Sequence, residues 1–80
     1  MEYTYPTIVA TVTRMISKNK GVRKSAILVK DNLRELGLDQ LDVVDLILEV
    51  EKKYHITIPD EVPVETVTDI ARFVYTHAAA

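Results

Sequence analysis

Eighty residues, 48% of them apolar, suffice for one compact unit, although a chain this short buries only ~60% of its unfolded surface and needs a well-filled core. There is no cysteine, which excludes disulfides, thiolate nucleophiles and cysteine-ligated metals and agrees with a reducing compartment. No unbroken apolar run approaches the ~20 residues of a membrane span, so a cytoplasmic protein that engages no membrane is expected.

The net charge of −2 conceals an uneven distribution. Residues 1–34 hold seven basic side chains (Arg14, Lys18, Lys20, Arg23, Lys24, Lys30 and Arg34) against Glu2 and Asp31, a net of +5. Residues 35–80 hold Lys52, Lys53 and Arg72 against ten carboxylates, a net of −7. Two electrostatically different surfaces are implied. Using the basic half to bind nucleic acid or another anionic surface is a remote alternative. The acidic pI and the lack of aromatics within that segment count against it, so no nucleic-acid partner is expected.

In chain order, Thr4 reads as an N-cap with Pro6 in the first turn. Ile8, Val12, Met15 and Ile16 follow at helical spacing and predict a helix over 5–18. The β-branched run Ile8–Thr13 also reads locally as a strand; the continuation of the apolar rhythm into Met15-Ile16 favours the helix. Residues 19–40 hold both glycines, Gly21 and Gly37, and predict a long connection. Its apolar residues, among them Ile27, Leu33, Leu36 and Leu38, predict that it packs over the core.

The clearest element begins at Asp39. This residue is a good N-cap, and Asp42, three positions on, suits the positive end of a helix. A central helix over 40–54 is predicted, with an apolar arc covering more than half its circumference. Val44, Ile47, Val50 and Tyr54 are assigned to the core, facing Ile8, Val12, Ile16, Ile70, Phe73 and Val74. His55–Ile58 alternates like a strand but is too short to pair, and at most one helical turn is expected near Pro59–Val64. Thr66 with Asp69 marks another cap, opening a last helix over 66–77 that frays into Thr76-His77-Ala78-Ala79-Ala80. The tyrosines Tyr3, Tyr5, Tyr54 and Tyr75 are expected at core edges. One all-α domain over 1–80 follows.

The segment Leu33-Arg34-Glu35-Leu36-Gly37-Leu38-Asp39-Gln40-Leu41-Asp42-Val43-Val44-Asp45-Leu46 resembles the core signature of acyl carrier proteins. Downstream, Tyr54-His55-Ile56-Thr57-Ile58-Pro59-Asp60-Glu61 is similar to the family's aromatic–x–x–x–Ile-Pro-acid passage. Two signatures at the family's distance are far more specific than one short pattern, and the likeness runs from about Val12 to Tyr75. It implies an acyl-carrier-protein-like four-helix bundle: three longer helices, one short helix and a long first loop. It also implies a carrier in fatty-acid or polyketide-type biosynthesis, not an enzyme.

In the family, a serine after Gly-x-Asp takes phosphopantetheine on its hydroxyl, and the arm then holds acyl groups as thioesters. Here Gly37-Leu38-Asp39 is followed by Gln40. A carboxamide has no hydroxyl to lose a proton, and its nitrogen lone pair is delocalised into the carbonyl. As written, the chain should carry no cofactor. Two readings remain open: a family member that lost the arm and kept its partners, and an ordinary acyl carrier with a blocking substitution. The resemblance further implies a partner-docking surface made of Asp39, Asp42, Asp45 and Glu51 with the apolar Leu41, Val44 and Leu48. Its partners would be acyl-transfer or biosynthetic enzymes with basic docking patches, met by a monomer. On charge alone those carboxylates read equally well as a solvated helix face. Lys52 and Lys53 stand where the family commonly has acidic residues. No metal site is expected, because His55 and His77 lack carboxylate or cysteine companions.

Overall fold

The computed structural model describes residues 4–78; Tyr3 and Ala79-Ala80 lie outside them, while Thr76, His77 and Ala78, expected to fray, belong to the last helix. Four helices follow in order: α1 (Tyr5–Lys20), α2 (Lys24–Lys30), α3 (Gln40–Tyr54) and α4 (Val67–Ala78). The described residues contain no strand, only an isolated antiparallel bridge between Asn32 and Thr66. The all-α expectation therefore holds, and the strand alternative at Ile8–Thr13 gives way to α1.

The helix ends obey local chemistry. The Thr7 amide donates to Thr4 Oγ1 at 3.3 Å and the Thr4 amide to Thr7 Oγ1 at 3.1 Å, which closes the start of α1 reciprocally. At its other end Gly21 takes φ 67° and donates its amide to the Ser17 carbonyl at 2.9 Å. A left-handed cap of this kind is where glycine is cheapest. At the start of α4, Thr66 Oγ1 accepts from the Asp69 amide at 3.0 Å, while Asp69 Oδ2 accepts from the Thr66 amide at 3.1 Å.

The core is one cluster. Ile8, Val12 and Ile16 of α1 meet Ile70, Ala71 and Val74 of α4, the most extensive helix pairing in the bundle. Leu46, Val50 and Tyr54 close it from α3. Leu33, Leu36 and Leu38 are all buried, so the connection before α3 packs on the core as its composition predicts. Ile58 is buried too, and Tyr5 meets Tyr75 edge-on with ring centroids 5.9 Å apart.

Near Pro59–Val64, where at most one helical turn is expected, the chain makes a simple turn closed by the Val62 amide on the Pro59 carbonyl at 3.1 Å. Two expectations need correction. The connection between α1 and α3 is not wholly loop: α2 occupies its middle, buries Ile27 and is the short member of the bundle. Within α3 the buried line is Leu46, Val50 and Tyr54, with Ile47 half-buried and Val44 exposed. Val44 lies about 120° round the helix from Val50 at ~100° per residue, which turns it toward solvent. Phe73 is likewise half-buried and stacks on His77 at 3.9 Å.

Two stability predictions follow. Leu46→Ala should cost ~2–5 kcal/mol, the range for a buried leucine, whereas Val44→Ala should stay within ~0.5 kcal/mol; urea unfolding measures both. Thr13 is only 3% exposed and its hydroxyl has no partner among the described residues. Thr13→Val, nearly isosteric, should therefore raise stability by ~1 kcal/mol by removing an unsatisfied buried polar group.

Candidate partner-docking face

α3 starts where two aspartates lock its first turn. The Asp42 amide donates to Asp39 Oδ1 at 2.9 Å, and the Asp39 amide donates to Asp42 Oδ2 at 3.0 Å. Gly37 before it takes φ 93°, a conformation side chains resist. Gln40 is the first helical residue and is exposed.

Most of the expected docking residues share one outer face. Leu41, Val44 and Leu48, spaced at helical intervals, are 73%, 45% and 53% exposed. Asp45 stands beside them, exposed and without a partner among the described residues. Lys52, one helical step beyond Leu48, is also exposed and unpaired. Large apolar side chains open to water contribute nothing to the core, so this stripe calls for another explanation than stability.

Asp42 and Glu51 have other roles. Lys20, the last residue of α1, places Nζ 2.9 Å from Asp42 Oδ2. That contact, reinforced by the Asp39 amide, holds the Asp42 carboxyl below the usual carboxylate range, and Asp42 in turn raises the Lys20 ammonium. Next to it, Asn19 Nδ2 donates to Glu49 Oε1 at 2.9 Å. The end of α1 thus reaches across to two acids of α3, over a cleft of about 360 Å³ lined by Ile16, Leu38 and Leu46 among others. Glu51, half-buried, accepts the Ile58 amide at 2.7 Å and ties the chain after α3 back to the helix. Asp42 and Glu51 are therefore both engaged within the fold. Reversing Asp42 would undo both a cap and an ion pair. Sequence reasoning missed the Lys20–Asp42 and Asn19–Glu49 contacts, since no local pattern reports a pairing across the first connection.

No helix among the described residues is long and apolar enough to cross a membrane, and these residues include no group of three or more side chains able to hold a metal.

The Lys20–Asp42 pair sets a pH dependence with a definite sign. Asp42, lowered in the fold, stabilises above its ordinary carboxyl range, and that contribution is lost as pH falls through the lowered value. Lys20, raised, stabilises below its ordinary range, and its share is lost as pH rises through the raised value. In an NMR titration, Lys20→Met should move the Asp42 carboxyl upward but only part of the way, because the Asp39 amide remains. An unchanged titration would remove the ion pair from the account.

A family model described as the phosphopantetheine attachment site matches residues 10–74. The chain is similar to the acyl carrier protein of Wolinella succinogenes, 43% identical over 47 residues that span 56% of this chain and 62%, less than two thirds, of that protein. It is 30% identical to the acyl carrier protein of Rickettsia bellii over 69 residues, 82% of this chain and 80% of the relative. With the acyl carrier protein of Brachyspira hyodysenteriae the figures are 38% over 64 residues, 78% and 77%. A four-helix bundle matched along most of its length by that model and these relatives belongs to the acyl carrier protein family, whose cofactor is phosphopantetheine and whose members are carriers rather than enzymes.

Proposed function

We propose that this domain is a carrier homologue without an arm: it docks on acyl-transfer or biosynthetic enzymes of fatty-acid or polyketide type, and Gln40 stands where they would find the attachment serine. The observation that carries the reading is the position of Gln40. It is exposed at the first residue of α3, directly after the capping Asp39, and beside the open stripe of Leu41, Val44 and Leu48. The donor set there does not fit phosphopantetheine. Joining the arm needs a nucleophilic oxygen, and the carboxamide of Gln40 offers none. The remaining serines sit elsewhere, Ser17 within α1 and Ser25 within α2, and Thr57 follows α3. None of the three begins a helix behind Asp39. No step through the cofactor is derived for this chain.

The test is intact-mass spectrometry after incubation with a broad-specificity phosphopantetheinyl transferase and coenzyme A. The chain should gain no mass, and Gln40→Ser should gain that of one arm. Loading of the unaltered chain would overturn the loss of the site. A Gln40→Ser variant that stays unloaded would count against a docking face still legible to such enzymes.

A further inference from the structure

The basic half of the chain also presents an exposed apolar element, which docking along α3 leaves unused. From Tyr3 to Lys30 there is no carboxylate, against six basic residues. α2 ends this stretch, and its backbone approaches α1 but no other helix. Ile27 anchors it at 1% exposure, whereas the adjacent Leu28 and Val29 are 67% and 83% exposed. At ~100° per residue, Leu28 and Val29 lie about 100° and about 160° round the helix from Ile27 and form its outer ridge. Lys24 and Lys30 lie about 60° to either side of Ile27 and emerge along the two flanks. Arg23, Lys24 and Lys30 are exposed, and their side chains have no partner among the described residues. The neighbouring acids all belong to the far end of α2. Asp31 keeps its charge while it accepts from Thr68. Glu35 is exposed beside Arg34, and Glu65 is exposed on the segment whose carbonyl accepts the Leu33 amide.

We infer that α2 is a contact element for an anionic lipid bilayer: Leu28 and Val29 enter the headgroup layer while Arg23, Lys24 and Lys30 meet lipid phosphates. The inference is independent of any docking on α3. Charge complementarity and shape choose the occupant. The patch is a ridge with cations on both flanks. An acidic protein would have to offer a groove for that ridge with carboxylates along both walls. A bilayer surrounds an inserted side chain with negative charge on every side and has an apolar interior beneath it. Lysine stems can lie along the ridge while their ammonium groups stay among the headgroups. A helix lying in the interface needs no spanning length, so the short apolar runs of the chain do not oppose it. With two apolar side chains and three cations the contact is shallow and reversible. The acids at Asp31, Glu35 and Glu65 tilt it, so that the Arg23–Lys24 end approaches first.

The test mixes the intact chain at low salt with vesicles of equimolar phosphatidylglycerol and phosphatidylcholine, or of phosphatidylcholine alone, and reads binding by co-sedimentation. The chain should bind the anionic vesicles at least about tenfold more tightly than the neutral ones, and salt should weaken that binding. Nitroxide-labelled lipid in the anionic vesicles should relax the amides of Leu28 and Val29 more than those of α3. Lys24→Gln with Lys30→Gln should weaken binding about 25-fold, about fivefold for each cation near the surface. Leu28→Gln with Val29→Gln should weaken it about tenfold or more. All four positions are exposed, and unchanged core amides confirm that each variant folds. The inference is overturned if the anionic vesicles do not bind, if the neutral ones bind equally well, or if either double variant binds like the unaltered chain. An acidic amphipathic peptide that shifts the α2 amides where vesicles bind nothing would assign the ridge to a protein partner instead. Movement of those amides with protein concentration alone would assign it to a second copy, and would overturn the inference as well.

Discussion

The chain between α1 and α3 has to cross the bundle and still deliver Asp39 in capping geometry, and the contact of Asp31 with the start of α4 fixes its midpoint. Asp31 sits at φ 59°, a left-handed conformation that aspartate tolerates better than most residues. There its Oδ2 accepts the Thr68 hydroxyl at 2.7 Å and its Oδ1 the Thr68 amide at 3.1 Å. Its carbonyl accepts the Val67 amide at 2.9 Å, and the Leu33 amide donates to the Glu65 carbonyl at the same distance. A carboxylate held by the Thr68 amide and hydroxyl in the first turn of α4 also meets the positive end of that helix. With this point fixed, Leu33, Leu36 and Leu38 drop into the core, and the remaining residues to Asp39 have little freedom left. The start of α3, and with it the position of Gln40, inherits its placement from α4.

Much of this was legible in the sequence because the signals are local. Thr4, Asp39 and the Thr66/Asp69 pair each announce a helix start through a side chain and an amide three residues away. What failed was non-local or too short to phase. α2 is seven residues with one buried side chain and no side-chain cap, less than the window over which helical periodicity can be read. The apolar arc of α3 is so wide that periodicity alone does not say which part faces inward. Leu46 took the place expected of Val44 because α1, α4 and the connection before α3 all approach from one side. The docking face is proposed through a family resemblance. Its division into acids held by α1 and acids left open depends on Lys20 and Asn19, which are 22 and 30 residues from their partners and invisible to any local pattern.

The outer face of α3 runs against the interest of the isolated domain. At ~25 cal/mol per Å² of apolar surface removed from water, Leu41, Val44 and Leu48 represent burial that the fold could have used and does not. A small domain with a limited core would be expected to put polar side chains at such positions if nothing ever covered them. The same helix keeps its buried line intact through Leu46, Val50 and Tyr54. The two faces are therefore independent, one serving the bundle and the other open to solvent.

The same independence bears on the proposal that Gln40 stands at the attachment position. Gln40 is exposed at the first helical residue, where its side chain joins neither the core nor the cap. The cap belongs to Asp39 and Asp42, the connection is held by Asp31 and Leu33, and the packing by Leu46 onward. Serine and glutamine differ by only a few tenths of a kcal/mol in helix propensity, less than one ordinary hydrogen bond contributes. On the reading proposed above, exchanging serine for glutamine here would leave the bundle and the outer face of α3 as they are while removing the hydroxyl that takes an arm. Attachment chemistry and partner recognition would then be separable, the loss of one placing no physical demand on the other.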